Sequence, residues 1–220
     1  TPDLVSNSFT WEKVKTLDFG LDAAFLNNRL FLTFDWYSRQ TNGMLAQGSQ
    51  KPSALGSPAP LENVANLETK GWELSLSYNG NINKDIDFNL GFSLYDSRTK
   101  ITKYDNIAGL LSQYYEGQYI GEIWGYETDR YYTTNDFNAN GTLKEGIPHV
   151  DGYSNPNPGD VLYVDYDNNG IIDKGQNTLE KPGDRKIIGN STPRFQYGIT
   201  GNVNYKNFSL SFLLQGVGKR

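Results

Sequence analysis

The chain has 220 residues, no cysteine, one histidine (His149) and a formal net charge of −5, so disulfides and thiol chemistry are excluded, and a histidine zinc cluster or a His-based triad is not expected. An acidic balance without a basic stripe argues against nucleic acid. The longest run free of Asp, Glu, Lys and Arg is 207–218, far short of the roughly 20 apolar residues of a membrane-crossing helix.

Strands are expected near 16–26, 29–39, 70–80, 85–96, 194–205 and 207–217, each from a period of two. The first sets Leu17, Phe19, Leu21, Ala23 and Phe25 against Asp18, Gly20 and Asp22. The second sets Leu30, Leu32, Phe34 and Trp36 against Thr33 and Asp35. Trp72, Leu74, Leu76 and Tyr78 form the third row, and Phe88, Leu90, Phe92 and Leu94 the fourth. The last two rows are Tyr197, Ile199, Val203 and Tyr205, then Phe208, Leu210, Phe212 and Leu214.

Short turns rich in Asn, Gly and Lys join these strands in pairs, at Asn27-Asn28, across Gly80-Asn81-Ile82-Asn83 and at Lys206-Asn207. The other connections, 40–69 and 97–193, are long. If strands run up and down, all short turns fall at one end and all long loops at the other, as in transmembrane β-barrels. A soluble antiparallel sheet gives the same alternation, but a loop near 100 residues long is unusual in a compact domain. Membrane barrels start at about eight strands. The expected fold class is therefore all-β: an antiparallel transmembrane β-barrel segment with long extracellular loops, and a fragment of a longer chain. Trp36, Tyr37, Tyr78, Tyr95, Tyr205 and Phe208 near strand ends suit an aromatic girdle, though aromatics also favour strands in general.

A run of short motifs resembles the SusC/RagA-type TonB-dependent outer-membrane transporters over essentially the whole chain. It opens with Thr10-Trp11-Glu12-Lys13 and Gly20-Leu21-Asp22, then Asn28-Arg29-Leu30, Asp35-Trp36-Tyr37 and Arg39-Gln40-Thr41. Lys70-Gly71-Trp72-Glu73-Leu74 resembles a family strand start, and Gly117-Gln118, Ile120-Gly121 and Trp124-Gly125-Tyr126 a loop motif. Pro158-Gly159-Asp160, Asp184-Arg185, Ile188-Gly189 and Pro193-Arg194 complete it. Asn66-Leu67-Glu68-Thr69 departs from the pattern, where Asn-rich, Gly-containing sequence is expected.

The resemblance implies a barrel of about 22 strands, of which about six to eight are here, with the plug domain and barrel ends elsewhere. It implies an outer-membrane location in a Gram-negative bacterium and import energised through TonB via the plug. A SusD-like surface lipoprotein would serve as lid, glycans or peptides as substrate, and outer-membrane lipid as surroundings. The alternative is a secreted, soluble, calcium-stabilised carbohydrate-binding β-domain.

One local motif stands out. Asp165-Tyr166-Asp167-Asn168-Asn169-Gly170-Ile171-Ile172-Asp173 matches the front of an EF-hand-like Ca2+ loop. Asp165, Asp167 and Asn169 would supply side-chain oxygens, Ile171 its carbonyl and Asp173 a ninth-position ligand. Ile172 would pack inward. Gln176 stands where a bidentate Glu is expected, so Asp184 is the candidate to complete the shell. The same residues also favour ordinary turns without metal. Tyr114, Tyr115, Trp124, Tyr126, Tyr131 and Tyr132 could meet substrate or the lid, or form the loop's own core. No activated nucleophile or acid–base pair stands out, so an enzyme is not expected.

Overall fold

The computed structural model describes residues 9–47, 60–153 and 155–219. Among these, regular structure is strand throughout, apart from a 3-10 turn at Thr134–Asp136. Strands β1 (Lys13–Phe25), β2 (Leu30–Gln47), β3 (Leu61–Asn83) and β4 (Ile86–Lys103) run first. Six short strands follow: β5 (Glu122–Tyr126), β6 (Thr128–Tyr131), β7 (His149–Val150), β8 (Val161–Tyr163), β9 (Ile171–Ile172) and β10 (Arg185–Asn190). The last two are β11 (Arg194–Tyr205) and β12 (Phe208–Lys219).

The chain divides into two compact units. The first is one antiparallel six-stranded sheet, ordered β1-β2-β3-β4-β11-β12, with Glu116–Ile120 added alongside β4. The second, Asn106–Tyr115 with Gly121–Asn190, holds the ribbons β5–β10, β6–β8 and the parallel β7–β9.

Register explains how the sheet sorts its side chains. Phe19 lies opposite Trp36, Trp36 opposite Trp72, Leu76 opposite Phe92, Phe92 opposite Ile199 and Ile199 opposite Leu214. Because the side-chain period is two, these pairings place every apolar row on one face. That face is bare: Phe19 is 62% exposed and Leu210 68%. Within this unit the described residues form no second sheet to cover it, whereas a soluble sandwich buries its inner faces sheet against sheet. The opposite face is a polar lattice. Thr33 donates to Asp22 (2.7 Å), Asn89 to Asn79 (2.6 Å), Asn202 to Ser211 (2.8 Å) and Asn204 to Asp87 (2.7 Å).

Three boundaries differ from the sequence expectation. The connection expected at 40–69 is shorter, because β2 continues to Gln47 and β3 starts at Leu61; residues 48–59 of it lie outside the described residues. The connection expected from 97 begins after Lys103. In both places the apolar pattern stops before the strand does, since a ladder needs paired backbone groups and not greasy side chains. Polar cross-strand pairs such as Thr69 with Thr99 (2.9 Å between hydroxyls) continue it. The third difference is the β3–β4 turn, which lies at Lys84-Asp85 and not across Gly80–Asn83. Gly80 stays in the sheet, paired with Phe88, whose ring occupies the space a Cβ would fill, and Asn83 closes the turn by accepting the Asp85 N–H (2.9 Å). The β1–β2 turn holds Leu26, Asn27 and Asn28 in left-handed conformations, and Lys206 does the same at the β11–β12 turn.

Candidate functional site

The Asp-rich motif lies in the second unit and is built around a carboxylate outside it. Asp184 is fully buried, and its two oxygens accept the N–H groups of Tyr166 (2.8 Å) and Asp173 (2.9 Å). It thus clamps both ends of the motif. Left-handed Asn168 (φ 57°) and Gly170 (φ 85°) turn the chain between them, and the Gly170 N–H reaches back to Asp165 (2.8 Å). Ile172, fully buried on the parallel β7–β9 ribbon, anchors position eight inward.

Carboxylate oxygens of Asp165, Asp167 and Asp184 come within 4.8 Å of one another. Three like charges so close repel unless a cation or protons sit among them. All-oxygen donors suit a hard ion such as Ca2+. The other expected ligands are placed differently. Asn169 Oδ1 accepts the Ile171 N–H (2.7 Å) and its amide donates to Asp167 (3.0 Å). Asp173 accepts the Gly175 N–H (2.6 Å) and stands outside the triad. Ile171 pairs with His149 in the ribbon.

The aromatic candidates separate into two groups. Tyr115 is buried, donates to Glu122 (2.5 Å) and accepts from the Trp124 indole (3.1 Å). Burial, reinforced by the Glu122 carboxylate, pushes its phenol up to about 12. Tyr132 is buried and donates to the Pro148 carbonyl (2.6 Å); burial raises its phenol as well. Tyr126 packs on Tyr163 with ring centroids 5.5 Å apart. Tyr115 and Tyr132, with Leu162 and Ile172, are the unit's buried core, and Trp124 and Tyr126 are half-buried. Tyr114 and Tyr131 are exposed, at 51% and 63%.

Two polar pairs were not foreseen from sequence. Asp136 accepts both guanidinium nitrogens of Arg130 (2.6 and 2.9 Å) together with the backbone N–H and hydroxyl of Thr133 (2.7 and 3.0 Å). The Arg130 bonds come first in holding its carboxyl well below the usual range. The Thr133-x-x-Asp136 spacing of a capping box was the available signal. In the sheet unit, Arg194 makes a bidentate pair with buried Asp96. Nearly a hundred residues separate the two in sequence, and no local pattern announces such a pair.

Residues 1–218 match the family described as TonB dependent receptor-like, beta-barrel. The chain belongs to that family. TonB-dependent receptor P3 of Formosa agariphila is 32% identical over 226 residues, covering 97% of this chain and 21% of the relative. TonB-dependent receptor SusC of Bacteroides thetaiotaomicron is 25% identical, covering 97% and 20%. The RagAB peptide importer in its closed-closed state superposes with a TM-score of 0.64 at 20% identity, over 95% of this chain and 21% of that one. This TonB-dependent receptor chain thus spans about a fifth of the length of its relatives. The six-stranded sheet is a piece of barrel wall, as the SusC/RagA-type motifs implied. These relatives are receptors by name, not enzymes, in keeping with the sequence reading.

Proposed function

We propose that this chain is part of the wall and loops of an outer-membrane active importer. The observation that carries the reading is the sheet-wide apolar face left bare beside a hydrogen-bonded polar face, in a chain of this family. The bare face meets lipid; the polar face lines the lumen. The short turns lie at the periplasmic end, and the second unit stands outside the cell. Import is energised through TonB acting on a plug in the longer protein, and a SusD-like lipoprotein closes over the loops. Glycan fragments are the substrate class, with exposed Tyr114 and Tyr131 able to meet sugar rings or the lid.

The Asp-rich loop holds Ca2+ in a structural role. Asp165, Asp167 and Asp184 supply the converging carboxylates, with Asn169, the Ile171 carbonyl and Asp173 as the further candidate donors of the same loop. The ion would neutralise the triad and stiffen the loop.

Fractionation of the full-length protein tests the location: a heat-modifiable band in the outer membrane is expected, and a soluble species overturns the reading. Uptake of labelled oligosaccharide against labelled peptide, with and without the lipoprotein, tests cargo and lid; import of peptide alone refutes the glycan assignment. Tryptic cleavage after Lys174 should slow in Ca2+ relative to chelator, and D165A/D167A should abolish the difference.

A further inference from the structure

The bare face changes character where the strands pass the aromatic row. Trp36 and Trp72 lie opposite each other, with Leu74 and Leu94 on the turn side of them. In the other direction, toward the long connections, the same face becomes charged. Lys70 lies opposite Arg98, and Glu68 opposite Lys100. By alternation these four point to the side that carries Leu74 and Leu94, not to the polar face. Left-handed Phe195 (φ 53°) breaks the alternation of β11, and Arg194 joins Asp96 there.

These side chains line one cavity of about 350 Å³, together with Trp36, Trp72 and Tyr119. Tyr119 is held by the segment that runs beside β4, where Gly117 N–H donates to the Ile101 carbonyl (2.8 Å) and Ile120 N–H to that of Thr99 (2.9 Å). Four basic groups face two carboxylates, an excess of two positive charges. Both carboxylates are already engaged: Glu68 by Lys70 at 3.0 Å, and Asp96 by Arg194. Arg98 sits over the Tyr119 ring, its Cζ 3.8 Å from the centroid, and Lys100 Nζ is 6.0 Å from the same centroid. Stacking orients the guanidinium while leaving its N–H edges for an anion. Among the described residues, neither Arg98 nor Lys100 forms a salt bridge; Glu68, opposite Lys100 and attracted by its charge, is bonded to Lys70.

We infer that this cleft, formed by Arg98 and Lys100 beside Lys70 and Tyr119, binds the phosphate of an anionic lipid headgroup. It rests on the reading of the bare face as lipid-facing. Strand residues two apart are separated by about 7 Å, so Lys70 and Arg98 stand one pleat beyond the tryptophan row. Tryptophans mark the interface, and the next layer outward is the headgroup layer. Acyl chains would lie along Leu74 and Leu94 while the phosphate meets Arg98 and Lys100. The charges of an imported cargo would instead be met on the polar face.

The test uses the full-length protein in detergent, after fractionation has placed it in the outer membrane. Native mass spectrometry would titrate phosphatidic acid against diacylglycerol with the same acyl chains. Phosphatidic acid is expected to bind and diacylglycerol not. R98Q/K100Q should weaken binding by about 25-fold, the effect of two headgroup-facing cations. The single K100Q should weaken it by about fivefold. R39Q, which removes a cation from the opposite face, should leave it unchanged, and heat-modifiability reports that each variant is folded. Equal binding by wild type and a folded R98Q/K100Q overturns the inference. So does inorganic phosphate binding as tightly as the lipid, which would make this an aqueous anion site. A protein absent from the outer membrane refutes the barrel reading before any titration, so the two failures are distinguishable.

Discussion

Asp184→Ala isolates the clamp of the Asp-rich loop. The carboxylate accepts two backbone N–H groups from opposite ends of the motif, at 2.8 and 2.9 Å, in a fully buried position. Hydrogen bonds to a charged group contribute about 1.5–3 kcal/mol each, and removing the acceptor leaves both buried donors unsatisfied. Allowing water into the space vacated, a net loss of about 3 kcal/mol is expected, which is roughly a hundredfold in the local opening equilibrium. Hydrogen exchange of the Tyr166 and Asp173 amides in the full-length protein reads this directly. The measurement is made in excess chelator, so that the hydrogen bonds and not a cation are tested. Asp184→Asn retains one neutral acceptor and should accelerate exchange by only about tenfold. If D184A left both amides exchanging within about threefold of wild type, the clamp would contribute nothing and the account of the loop would be wrong. A further rise in wild-type protection on adding Ca2+, absent in D184A, would then report the ion separately, since a ligand at a hundred times its Kd adds about 2.7 kcal/mol.

Leu76→Arg, in the bare row, should cost about 2–4 kcal/mol and lower the yield of heat-modifiable barrel, whereas Ser77→Arg, on the polar face, should assemble near normally. Equal yields would contradict the assignment of faces. The Tyr115 phenol is raised from 10 to about 12, so the folded loop holds that proton more tightly than the unfolded one. Its contribution is therefore complete below pH 10 and is lost as pH rises toward 12; thermal melts should show this alkaline loss, and Tyr115→Phe should remove it. Asp136 is shifted the other way, so its contribution is present above the ordinary carboxylate range and is lost as pH falls below it. Asp136→Ala should destabilise the second unit by about 1–2 kcal/mol through loss of the Thr133 cap contacts, and should flatten the acid limb of a proteolysis-against-pH profile.

Much of the barrel wall was legible in one dimension because strand side chains alternate regardless of what lies across the ladder. Leu74, Leu76 and Tyr78 announce a face by spacing alone, and Asn27-Asn28 announces a turn by tolerance of left-handed backbone. The ends of strands were not legible. β3 begins at Leu61 and β4 continues to Lys103 because a neighbour supplies hydrogen bonds there, and a pairing partner has no signature in the strand it extends. The same limit governs the sites. Asp165 and Asp167 declare themselves through spacing in a single turn. That Asp173 turns to its own backbone while Asp184 enters the triad depended on how the Asp173–Asp184 segment folds back. Arg194 meeting Asp96, and Arg98 lying on Tyr119, required β4 to stand between β3 and both β11 and the 116–120 segment. Periodicity is a property of the chain's own geometry, so sequence determined the faces and the fold class. Convergence of charges from distant segments is a property of register and loop closure, and only the tertiary structure decided it.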